Sequence, residues 1–65
     1  MDEMLKFIEA SIKEEADDKA KYLAWADKAE AAGHYHTAGI LRDIAHEEGT
    51  HHEALEHIHH MMKRG

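Results

Sequence analysis

The second half of the chain carries one regular stripe. Leu41, Ile44, Glu48, His51, Leu55, Ile58 and Met62 follow one another at alternating steps of three and four residues. That spacing keeps them on one side of an α-helix. Leu5, Ile8, Ile12, Glu15, Lys19, Tyr22, Ala26 and Ala29 keep the same rhythm in the first half. Between the two runs lies KAEAAGHYH, whose Gly33 can take the left-handed conformation that ends a helix. The pattern predicts a helix over about 2–32, a turn at 33–34 and a helix over about 35–63. Asp2 and Glu3 suit a helix start, and Lys63 and Arg64 suit a helix end. The expected fold is all-α, an antiparallel two-helix hairpin forming a single half-domain over 1–65.

Two helices cannot cover a stripe on each arm. Pairing two hairpins into a four-helix bundle covers both, so a homodimer or larger homo-oligomer is expected. Composition sharpens this. At 65 residues the chain encloses little core, and scaffolds of this size lean on disulfides, a metal or self-association. There is no cysteine, which excludes disulfides, zinc ribbons, iron–sulfur clusters and thiol catalysis. The net charge of −6 argues against nucleic acid and against an anionic membrane surface. No apolar run is long enough to span a bilayer and no signal peptide opens the chain, so the expected setting is cytoplasmic.

The polar interruptions of the stripes carry the chemistry. Glu15 breaks the first, and Lys19 does too, although its stem can lead the ammonium to water. Glu48 and His51 break the second. A carboxylate on an inner stripe is costly unless paired or bound to a cation. Glu15 lies about 27 Å before Gly33 along a helix, and Glu48 and His51 lie about 22 to 27 Å after it. Folding at Gly33 therefore brings the three to one level. Two hairpins would gather four carboxylates and two imidazoles. The ligand set of di-iron carboxylate bundles has the same make-up, one Glu from each of two helices and Glu-x-x-His from each of the other two. Such donors suit iron or manganese.

Residues 46–60, HEEGTHHEALEHIHH, hold six of the eight histidines. A zinc-protease reading fails there, because HExxH needs a second histidine where Thr50 stands. His52, His57, His59 and His60 are expected on a solvated face. His46 and Glu47 fit the surface or the rim of the site, with Glu47 the reserve ligand should Glu48 point away. Glu14 and Asp18 read as solvated charge, with attraction of incoming Fe(II) the second reading, and Phe7 and Trp25 as a second interface or bundle edge. Gly39 and Gly49 sit inside the second helix, each at a cost of about 1 kcal/mol relative to alanine. Met61 and Met62 read as core filler.

From about Glu15 to Leu55 the chain resembles the rubrerythrin branch of the ferritin-like superfamily. Glu15 followed seven residues later by Tyr22, KYLAWADKAEAAG, and ILRDIAHEEGTHHEAL carry the resemblance. It implies that Glu15, Glu48 and His51 are metal ligands and that Tyr22 is a neighbour of the site. It implies two iron ions per dimer, with manganese or zinc also fitting, inside a ferritin-like four-helix bundle. The implied activity is Fe(II) oxidation by O2 or peroxide, of ferroxidase type. The alternatives are a peroxide reductase fed by an external electron donor and a non-catalytic divalent-metal assembly module. Two helices in place of four resemble the half-domain of encapsulated ferritins, which work inside a protein shell. The cysteine-ligated rubredoxin module of rubrerythrins proper is missing from the sequence, and His34 stands where the family often has an aromatic residue.

Overall fold

A computed structural model describes residues 2–64. It contains two α-helices, α1 over Asp2–Ala31 and α2 over Tyr35–Arg64, and no strand among the described residues. They lie antiparallel in a hairpin of 49 × 14 × 10 Å.

The turn is closed by backbone hydrogen bonds. The Gly33 N–H donates to the Glu30 carbonyl at 3.0 Å, and the His34 N–H donates to the Ala29 carbonyl at 2.8 Å. These two crossing bonds make a Schellman motif, which needs a left-handed residue after the helix end. Gly33 fills that place with φ of 85°. The chain reverses at once because the His34 carbonyl already accepts from the Ala38 N–H at 2.9 Å. Beside the turn, the Arg42 guanidinium donates to Glu30 at 2.6 Å and to Asp27 at 3.0 Å. This fork ties the two arms where they leave the turn.

The buried core of the hairpin is small. Among the described residues, Ile8 and Ala26 on α1 and Ala38 and Ala45 on α2 are buried, and no large side chain is fully buried. The line of α2 that meets α1 runs through Ala38, Ala45, His52 and His59, spaced by seven. This corrects the stripe expected from periodicity. His51 is exposed on its side chain by 59% and Ile58 is exposed too. Periodicity reports the mean direction of all apolar positions. Here that mean falls between the face against α1 and a second face that α1 does not cover. His52 and His59 are corrected as well. They are half-buried between the arms and not solvated, with His59 Nε2 2.9 Å from Glu9 Oε2 and His52 Nδ1 3.0 Å from Glu56 Oε1. Gly49 faces α1, where a Cβ would stand 3.2 Å from Lys19 Nζ, whereas Gly39 faces open space.

At 100° per residue, Phe7 and Trp25 are five full turns apart on α1, and Ile40 and Ile58 are five full turns apart on α2. All four are exposed. Trp25, Ala29 and Ala32 share one groove with Thr37 and Leu41, so these rows flank the same side of the hairpin. The opposite side holds a second groove with Ala16, Lys19, Gly49, His52, Glu53 and Glu56. One side of the hairpin is thus apolar and open, and the other is polar.

Candidate metal centre

Glu15, Glu48 and His51 converge midway along the hairpin. Each offers one ligand atom, and the three atoms lie within 4.8 Å of one another. α1 supplies Glu15 from its middle. α2 supplies Glu48 and His51 one turn apart, on the flank toward the apolar side. The antiparallel turn at Gly33 is what sets the three at one height.

Glu15 is the most enclosed of the three, with 23% of its side chain exposed. Its Oε2 is buried and has no hydrogen-bond donor. His51 Nδ1 lies 3.5 Å from it, outside good hydrogen-bond geometry. A carboxylate oxygen removed from water and left without a donor is unfavourable, and a cation relieves it. The Glu48 carboxyl is pushed above the ordinary glutamate range. The main cause is a hydrogen bond to Glu15 that favours the protonated form. Partial burial and the negative charges of Glu15 and Asp18 add to it, while His51 opposes it. The two carboxylates repel when both are ionised, and a divalent ion between them removes the repulsion.

The surrounding residues fall into two groups. Asp18, expected as solvated charge, is half-buried and near enough for its field to act on Glu48. Its spacing of three from Glu15 was the sequence signal for this. Its own partner is Lys21 at 3.9 Å. Glu14, His46 and Glu47 are exposed. Since Glu48 points into the cluster, Glu47 is not needed as a substitute. Tyr22 is half-buried two turns along α1, with Lys21 Nζ 5.7 Å from its ring centre. Its hydroxyl enters none of the side-chain hydrogen bonds among the described residues.

The donor set fits a hard or borderline divalent cation. Carboxylate oxygens with one imidazole suit iron and manganese, and zinc accepts the same donors. One hairpin offers two carboxylates and one imidazole toward such an ion. Among the described residues, no helix is long and apolar enough to cross a membrane. No curated protein and no solved structure matches the chain. A family model described as rubrerythrin matches it over residues 6–65.

Proposed function

The chain belongs to the rubrerythrin family, and from that premise we propose that two copies join their apolar sides to complete a di-iron carboxylate site that oxidises Fe(II) with O2 or peroxide. The carrying observation is the convergence of Glu15, Glu48 and His51, with one buried oxygen of Glu15 left without a donor. Two copies supply four carboxylates and two imidazoles, whose negative charge offsets two divalent ions. Glu15, Glu48 and His51 of the two copies would hold the iron, which would supply one electron per ion to the oxidant.

The side chains have distinct tasks in this reading. Glu15 holds its buried oxygen toward the cation from a fixed helix position. Glu48 must be ionised to serve as a ligand, and a cation beside it favours that form. His51 adds a neutral donor that lets the site favour iron over calcium or magnesium, which prefer all-oxygen sets. Asp18 adds negative potential beside the cluster and draws cations toward it. Tyr22, half-buried two turns beyond Glu15, would hydrogen-bond a ligand carboxylate in the closed bundle.

Anaerobic loading with Fe(II), followed by O2 or peroxide, tests the proposal. The expected result is near-ultraviolet absorption of ferric iron appearing faster than in a Glu48→Ala control. Equal rates in both proteins would sink the oxidase reading. A large gain in melting temperature with zinc but no iron oxidation would instead identify a metal-stapled assembly module.

A further inference from the structure

The ligand spacing of the central cluster occurs a second time in the chain. Glu56 and His59 stand three residues apart on α2, as Glu48 and His51 do. Glu9 stands on α1, as Glu15 does. From the first set to the second, α1 is followed back for six residues and α2 forward for eight. Both steps lead away from the turn, by about 9 Å and 12 Å at 1.5 Å per residue. At 100° per residue, antiparallel neighbours carry these two shifts round to one flank of the hairpin. That flank is the polar side, away from the exposed Phe7 and Trp25.

The second set is partly assembled. His59 Nε2 lies 2.9 Å from Glu9 Oε2, across the two helices. In a tetrahedral zinc site with bonds of about 2.0 to 2.1 Å, neighbouring ligand atoms stand about 3.3 Å apart. The Glu9–His59 pair is already near that spacing. Glu56 leans one turn back, with its Oε1 3.0 Å from His52 Nδ1. It is exposed and shares a helix face with His59, so a turn about its own side-chain bonds brings it to the pair. Ala16 and Gly49 leave room on this flank for a groove of about 300 Å3, which Glu56 lines. The charge there is unbalanced. Among the described residues, none of the lysine and arginine ion pairs involves Glu9 or Glu56. Lys13, one turn from Glu9, is taken by Asp17 at 3.4 Å. Carboxylates beside an imidazole, with no fixed cation, suit a divalent ion.

We infer that Glu9, Glu56 and His59 form a second divalent-cation site, of zinc type, whose ion clamps the open end of the hairpin. The turn end is held by the Schellman motif and the Arg42 fork. Toward the open end, Ile8 is the one buried hydrophobic residue of α1 before the central cluster among the described residues. An ion bound by α1 and α2 together supplies there the cross-link that burial does not. All three ligands belong to one hairpin, so the site needs neither a second copy nor the proposed oxidase chemistry.

Native mass spectrometry of the full chain equilibrated with zinc tests it, beside melting curves with and without the metal. The variants are Glu9→Gln and, separately, His59→Gln. Both keep a polar side chain able to hydrogen-bond across the helices, so the hairpin persists. Each is expected to hold one zinc fewer per chain than the wild type and to gain less in melting temperature from zinc. The same loss is expected when Glu9→Gln is added to Glu48→Ala, because the missing ion is not the central one. Zinc content equal to the wild type in either single variant overturns the site. So does a chain that loses the ion through His57→Ala and His60→Ala while Glu9→Gln keeps it, since the exposed histidines would then be the binders. Iron oxidation failing while Glu9→Gln still costs one zinc would sink the proposed activity and leave this site standing.

Discussion

Glu48 concentrates the conflict built into the cluster. Its carboxyl is raised in the folded chain, so the folded state holds that proton more tightly than the unfolded state does. The sign follows directly. Through this group, the metal-free protein loses stability as pH rises from the ordinary value of 4.5 through the raised one, and regains it on acidification. Other groups titrate in the same window, so Glu48→Gln is the useful comparison. Denaturation of both metal-free proteins across that range should show the variant gaining on the wild type as pH rises. A gap that stays flat would contradict the assigned repulsion. His51 makes the opposite case. It is exposed in the hairpin and barely contributes to its packing. His51→Ala should leave hairpin stability within about 0.5 kcal/mol. Divalent-metal affinity should fall by more than the roughly 10–100-fold typical of outer-shell partners. Titration calorimetry with zinc, beside a melting curve, separates the two effects.

At the scale of the helices, the three internal glycines behave differently because their surroundings differ. Gly33 has φ of 85° and anchors the Schellman motif. Gly33→Ala forces a side chain into the left-handed region, at a cost of about 1–2 kcal/mol by chemical denaturation. Gly39 is helical, exposed and faces open space. Gly39→Ala should therefore stabilise the protein by about 1 kcal/mol in the same assay, and destabilisation there would show a contact the hairpin lacks. Gly49 sits between these, because its added Cβ meets only the flexible end of Lys19. The Arg42 fork to Asp27 and Glu30 is exposed and screened by water, so Arg42→Ala should cost no more than about 1 kcal/mol. The register of the arms rests on the turn more than on this fork.

For the molecule as a whole, the small core is the governing fact. Ile8 and three alanines cannot hold a hairpin of this length together by burial alone. In the proposed dimer, a second copy and the ions held between the copies would supply the rest. A ligand present at a hundred times its Kd adds about 2.7 kcal/mol when it binds only the folded state. Melting temperature should therefore rise with protein concentration and fall after chelation. A melting temperature indifferent to both would mean that the hairpin is self-sufficient.

The sequence by itself determined the two helices and the turn. Helix formers without proline, one left-handed glycine and a three-four rhythm are local signals, and local hydrogen bonding decides helices. It also marked Glu15, Glu48 and His51, because polar residues on an apolar stripe are costly and so stand out. The resemblance to the rubrerythrin family was legible in those same positions. What it could not separate was which face of α2 meets α1. One period sums both faces, so His51 and Ile58 read as buried, and His52 and His59 read as solvated. Only the packing of two helices split that sum. It turned Ala38, Ala45, His52 and His59 toward α1 and left His51, Ile58, Phe7 and Trp25 on the open side. Tertiary structure also decided that one oxygen of Glu15 loses its water while finding no donor. That depends on how closely the two helices approach, a distance no single stretch of sequence encodes.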